Sequence, residues 1–437
     1  MFDKAATALP HNPGESGSAR ATTLVMSDFL FLGGLVLALF IVDDPYGAQY
    51  QHDPSTRHLP LLLSLAAILF ASMGEMLRPR HARRGSAWPV ATAGLPLLLL
   101  ASWIVIGSLS ARFMQGIADT FLNTGMYMML TLFTARGILI SAARDRVIQL
   151  SVRAMAVNAT YMILRMIYDH DWGGGRYHEM EFVVMPVAVY YALSPSVNSK
   201  WRGLIVFFFL ASGVVFCKNT GFIVMLLTLG YLLAVDWRFR LRRPARLYRV
   251  VLAGTMGLAL ALGGLIAFGP ALSSDITLPN GNPGYRVRAY EKAISRFEQS
   301  PVYGVFFSER STTLFTAFTV KAVVPNNQLP THSDVLDLAA NGGVMALALL
   351  VWAYARIARL FWRTELRGVT SETSRSEHSA AAHMFACMSL SAVAVYAVNP
   401  LMLQPDKGML IWVSLGLLLG ICLHRTALEE TITGLAR

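Results

Sequence analysis

Apolar runs of near-membrane length recur along the chain, and the polar stretches between them are short with one exception. The runs cover 24–42, 59–77, 89–109, 120–140, 147–167, 181–194, 203–216, 221–235, 250–269, 335–360, 382–398 and 409–424. A helix crossing the hydrocarbon core needs about 20 mostly apolar residues, so the pattern predicts about twelve transmembrane helices. The runs at 181–194 and 203–216 are short for this purpose. The exception is the polar segment 270–334. The expected organisation is a tail over 1–23, the first nine helices over 24–269 and a loop domain over 270–334. The last helices then cover 335–425, before a tail over 426–437. The expected fold class is an all-α polytopic membrane protein with one long, partly helical loop.

Within that loop the period changes. Tyr285 to Ser300 reads as an amphipathic helix, preceded by a turn at Asn282-Pro283-Gly284 and ended by Pro301. Tyr290, Ile294 and Phe297 fall on one stripe at helical spacing, and Arg286 precedes Tyr290 by four. Arg288, Lys292, Ser295 and Gln299 fall on the opposite face. An arginine on the packing stripe requires an anionic partner, because unpaired burial is costly. The planar guanidinium fork suits phosphate, although a carboxylate of the protein also satisfies it. Arg288, on the solvated face, is the weaker phosphate candidate.

Composition excludes a soluble globular chain. Of 437 residues, 54% are hydrophobic and only 14% charged, with a mean hydropathy of +0.48. The net charge of +11 does not point to nucleic acid. Its arginines cluster in short loops, at Arg78, Arg80, Arg83 and Arg84, at Arg144 and Arg146, and from Arg238 to Arg249. That is the positive-inside pattern of a bacterial inner-membrane protein, and it needs no anionic partner beyond membrane lipid. It puts both termini in the cytoplasm and the 270–334 loop outside, facing the periplasm. The first residues lack a signal-peptide layout, so the first apolar run is expected to be retained. Cys217, Cys387 and Cys422 are widely spaced within apolar runs, which argues against a disulfide framework or a metal site.

Thr331-His332-Ser333-Asp334 closes the loop. Thr331 followed by Asp334 resembles a capping box, which would place His332 in the first helical turn. A helix N-terminus disfavours the protonated imidazole, and a neutral histidine can accept a proton from a hydroxyl. A boundary histidine can equally serve as a cap or as packing. Asp334 is a candidate to orient His332, whereas Asp337 and Asn341 read as structural. Asn341-Gly342-Gly343 permits close helix packing. Lys218, in the turn Cys217-Lys218-Asn219-Thr220-Gly221, is a membrane-edge anchor or a phosphate ligand. The 168–180 loop offers Asp169, His170, Asp171, Arg176, His178 and Glu179, without the spacing of a metal motif. Arg176 is its candidate for substrate contact.

These runs resemble a known family. Arg286-x-x-x-Tyr290, Ala293-Ile294 and Ser300-Pro301-Val302-Tyr303-Gly304 resemble the "R-x-x-x-W … A … P-hydrophobic-hydrophobic-G" run of the O-antigen ligase and polymerase superfamily. His332-Ser333-Asp334-Val335-Leu336, continuing to Gly342-Gly343, is similar to its "H-[NS]-x-x-L-x-x-x-x-x-G" run. The resemblance is strongest over 284–345. It implies a metal-independent enzyme without a cofactor, in a glycosyltransferase-C-like membrane architecture. Its ligases move a finished polysaccharide from undecaprenyl pyrophosphate to the sugar core of lipid A. The resemblance further implies that Arg286 binds the donor pyrophosphate and that His332 is the essential histidine, acting as general base. Two departures stand out. Tyr290 replaces a frequent Trp, and Lys218-Asn219-Thr220-Gly221 stands where the family often has Ser-Arg-Gly. Polymerase and protein O-oligosaccharyltransferase activities share these elements and stay open. So does a different class, a transporter or flippase of a lipid-linked or anionic solute.

Overall fold

A computed structural model describes residues 26–39, 63, 66–68, 70, 88–115, 120–141, 143–168, 181–216, 220–239, 282–307, 333–367, 376–397, 401 and 405–435. Among these the regular structure is entirely helical. The helices are α1 (Met26–Leu39), α2 (Trp88–Ala93), α3 (Leu95–Gln115), α4 (Thr120–Ile140), α5 (Arg144–Tyr168), α6 (Glu181–Leu193), α7 (Ser199–Phe216) and α8 (Thr220–Phe239). They continue as α9 (Asn282–Gln299), α10 (Asp334–Phe361), α11 (Glu377–Tyr396) and α12 (Pro405–Leu435). A π-helical turn, Trp362–Arg367, extends α10. Among the described residues four segments are long and apolar enough to cross a membrane: Arg144–Tyr168, Asp334–Leu366, Glu377–Tyr396 and Lys407–Glu429. The expected runs at 250–269 and most of 59–77 lie outside the described residues.

The bundle is closed by small residues at helix crossings. Gly416 and Gly420 of α12 are spaced as G-x-x-x-G, which lets two backbones approach closely. A Cβ at Gly416 would stand 2.6 Å from the Thr131 carbonyl oxygen, and one at Gly420 would stand 2.7 Å from Ile138 Cβ. Thr131 Oγ1 donates to the Trp412 carbonyl at 2.8 Å. Residues 412 to 420 thus advance alongside 131 to 138, so α4 and α12 run parallel. The arginine-loop alternation requires the same relative direction of these two. Against α3, by contrast, α4 is antiparallel: Gly94 meets Leu132, and Gly125 meets Ala101 and Val105. Phe182 to Val189 of α6 are all buried, and that helix sits among α7, α8 and α11. A helix apolar all round belongs in such a core.

Several expected boundaries move. The helix α9 begins at Asn282, so Asn282-Pro283-Gly284 forms its first turn rather than a turn before it. Proline is tolerated there because first-turn amides have no intrahelical acceptor. Among its described side chains Ala293 is the buried one, and the expected packing position Ile294 is instead 45% exposed. Tyr290 and Phe297 are half-buried beside Ala293. The capping expectation is also corrected. Ser333, not Thr331, is the N-cap of α10, its hydroxyl accepting from the Leu336 amide at 3.4 Å. Position 332 therefore precedes the helix instead of lying in its first turn. Finally, between the expected runs at 335–360 and 382–398 the described residues are helical over 361–367 and 377–381, because α10 runs on through the π turn and α11 starts at Glu377.

Candidate active site

The two segments that carry the arginine and histidine motifs are joined through their backbones. After α9 the chain makes a tight turn over Pro301 to Phe307, with the Gly304 amide donating to the Ser300 carbonyl at 2.8 Å. Opposite this turn α10 is broken at Gly343, which has φ 66° and ψ −167°. An unbroken α-helix would bond the amides of Val344 and Met345 to the carbonyls of Ala340 and Asn341, four residues earlier. Here the turn takes both sets of groups. The Val305 and Phe307 amides donate to the Ala340 and Asn341 carbonyls at 3.1 and 3.0 Å. The Val344 and Met345 amides donate to the Pro301 and Val302 carbonyls at 2.8 and 3.1 Å. Two ladder bonds of α10 are thus exchanged for four bonds to the turn, and the buried break leaves those backbone groups satisfied.

Glycine makes the approach possible. A Cβ at Gly343 would lie 2.3 Å from the carbonyl carbon and oxygen of Val302, and one at Gly304 would lie 2.6 Å from the Ala340 carbonyl oxygen. Both glycines have positive φ. On the third side, Gly107 of α3 admits the Phe306 carbonyl oxygen, 2.6 Å from where a Cβ would be. Phe306 and Phe307 also have positive φ, 52° and 54°. Such a conformation costs on the order of 1–3 kcal/mol per residue and persists only where the surroundings over-determine it. Here Phe307 is fully buried against Gly342, and Phe306 stands edge-on to Trp103 at 5.0 Å.

The segment before the break is pinned at its other end. Ser333 Oγ donates to the Tyr396 carbonyl at 3.4 Å, and Asp334 Oδ2 accepts from the Leu401 amide at 2.6 Å. The Tyr396 hydroxyl lies 3.0 Å from that of Tyr354. Hence a single tyrosine separates Ser333 from Tyr354. In a straight helix these two would be about 30 Å apart along the axis. Residues 334–342 therefore fold back toward the later part of α10 instead of extending it. They are buried apart from the half-buried Val335 and Leu336, whereas Val344, Met345, Val351 and Trp352 beyond the break are exposed and apolar, as a lipid-facing stripe would be.

Placement of the candidate residues is uneven. Asp334 is 2% exposed, and its Leu401 contact gives one carboxylate oxygen a structural task. Asn341 Nδ2 donates to the Asp337 carbonyl at 2.7 Å, in keeping with a structural role. Positions 286 and 288 lie on α9, where 286 is in register with Ala293 and Tyr290 and 288 is on the other side. The side chains of Arg286 and Arg288 lie outside the described residues, as do His332, Lys218 and Arg176. Among the described residues no cluster of histidine, cysteine or carboxylate side chains could hold a metal ion. Sequence reasoning misses Lys407, which is 5% exposed in the first turn of α12. Its only signal is a lysine bordering an apolar run. It also misses the paired positive-φ phenylalanines, which no local pattern announces.

No protein-family model matches the chain, and no curated protein does either.

Proposed function

We propose that the protein is an inner-membrane glycosyltransferase with its active site facing the periplasm. In this reading it transfers O-antigen polysaccharide from undecaprenyl pyrophosphate to the lipid A-core oligosaccharide, without metal or cofactor. The finer architecture belongs to the same proposal: about twelve spanning helices in a glycosyltransferase-C-like arrangement. One observation supports it most. The turn that closes the arginine-bearing helix is spliced into the broken helix that follows His332. The two motif halves, distant in sequence, thereby meet at one joint.

The chemistry follows from the residue types. The pyrophosphate leaving group is already good, and its developing charge needs a fixed cation, the role given to Arg286. The incoming sugar hydroxyl needs to lose a proton, the role given to His332. Direct attack of that oxygen on the anomeric carbon breaks the bond to pyrophosphate and inverts the centre. Arg288, Lys218 and Arg176 are the candidates for further contacts to donor or acceptor.

A broken membrane helix is also a feature of secondary transporters, where freed backbone groups coordinate the cargo. In α10 the groups at the break are taken by the 301–307 turn, which favours the enzyme. The deciding experiment is transfer by purified protein in detergent, given lipid-linked polymer and lipid A-core. Polymer-bearing product without ATP or an ion gradient is expected. Absence of product, together with gradient-dependent movement of the lipid-linked polymer in vesicles, would replace the enzyme with a transporter. Product carrying extended polymer still on the carrier lipid would mean polymerase, and glycosylated protein would mean a protein O-oligosaccharyltransferase.

A further inference from the structure

We infer that the joint is a positioning lock, and that Gly343, Gly304 and Gly107 are positioning residues for the transfer reaction. This rests on the glycosyltransferase reading for its activity arm only. All four bonds that splice the turn into α10 are backbone to backbone, so their geometry sets relative position without occupying any side chain. The turn also adopts positive φ at Phe306 and Phe307, an arrangement a merely connecting loop would have no reason to keep. Three glycines from three directions give it room: Gly304 in the turn, Gly343 in α10 and Gly107 in α3.

The consequence is a fixed register. Position 286 is tied through α9 to Pro301, and Pro301 is tied to Val344. Position 332 adjoins Ser333, which is tied to Tyr396 at one end of the 334–342 segment, and Gly343 ends that segment at the other. The lock thus sets where the arginine helix stands relative to Ser333, the residue that follows His332. Displacements of about 1 Å between reacting groups can cost two orders of magnitude in rate, so such a device has a use in a transferase that must align a large lipid-linked donor.

The test uses the full chain with its native cysteines replaced and spin labels at Glu291→Cys on α9 and Val351→Cys beyond the break, both exposed positions. A second pair, Arg153→Cys and Leu390→Cys, reports on the rest of the bundle. In Gly343→Ala the added methyl meets Val302 backbone and has to expel the turn. The 291–351 distance distribution is expected to broaden while the 153–390 distribution stays narrow. Transfer should lose about ten-fold or more in kcat, with the donor KM within about two-fold, because alignment is lost and not binding. Gly107→Ala presses on the same turn from α3 without altering α10, and should reproduce the pattern more weakly if Gly343→Ala fails to fold. Gly230→Ala, where a methyl meets nothing within 4 Å, should match the parent in both readouts. An unchanged 291–351 distribution in both joint variants, or a broadened one with parental kcat, overturns the lock. If the parent itself transfers nothing, the glycosyltransferase reading falls, and the distance distributions still decide whether the joint locks.

Discussion

The break within α10 and the end of α10 are held by opposite means. Beyond Phe361 the end is closed by side-chain charge. Glu365 is fully buried, paired with Arg425 and accepting from Ser379 Oγ at 2.7 Å, while Arg425 also donates to Ser376 Oγ at 3.0 Å. Nearby, Arg144 donates to the Ile138 and Leu139 carbonyls at the end of α4, and its guanidinium meets His424 at 2.7 Å. Glu377 accepts from Tyr190, Ser194 and the Ser196 amide. Each of these charged groups has its partners within the protein. The break at Gly343 is closed by backbone bonds, with glycines admitting the turn. A region that satisfies its charges internally is a clamp. One held together by its backbone keeps side chains available, and the two segments that carry the candidate motifs meet at that break.

The largest effect that would break this contrast concerns the reacting residues. His332→Ala and Arg286→Ala are expected to lower transfer by a purified protein by about 10²–10⁴-fold, with membrane expression and unfolding temperature unchanged. Arg288→Ala should cost less than about ten-fold, since position 288 is off the packing face of α9. A dead Arg288→Ala beside an active Arg286→Ala would reverse the face assignment.

Gly304→Ala comes next. Its methyl meets the Ala340 carbonyl at a residue of φ 61°, so transfer should fall about ten-fold. Glu365→Ala should do the reverse, lowering stability by about 3–5 kcal/mol while leaving kcat per folded molecule intact, because it strands one partner of a buried pair. Thermal unfolding in detergent, read beside specific activity, separates the two behaviours. A Glu365→Ala variant that unfolds like the parent would mean the charge cluster is no clamp. The smallest effect is expected at Asp145, whose contact with His378 at 3.4 Å involves a largely exposed carboxylate. Asp145→Asn should leave the unfolding midpoint essentially where it is, as exposed pairs contribute roughly 0–1 kcal/mol.

How much of this could be read from residues alone depends on the kind of interaction. Long apolar runs announce helices directly, and those at 120–140, 147–167 and 335–360 fall on α4, α5 and α10. Gly342-Gly343 and Pro301 are visible as punctuation, so close packing and a helix end near the joint are legible. The splice is not. Nothing local in Pro301-Val302-Tyr303-Gly304 says that its carbonyls take over the amides of Val344 and Met345. The hydrogen-bond exchange arises only when α3 and both segments meet. The charge cluster is hidden for a related reason. Arg144 reads as an ordinary basic loop residue until the end of α4 and His424 of α12 are brought beside it. The shift of the N-cap from Thr331 to Ser333 shows the limit at single-residue scale: the box spacing points to Thr331, yet Ser333 caps the helix while its hydroxyl also donates to the Tyr396 carbonyl.

The most direct test of the central claim is the lipopolysaccharide profile of the bacterial host carrying His332→Ala in place of the parental chain, with membrane expression verified. The proposed ligase requires lipid A-core devoid of polymer, together with long polymer accumulating on undecaprenyl pyrophosphate. A profile indistinguishable from the parent would contradict it and remove His332 from the mechanism.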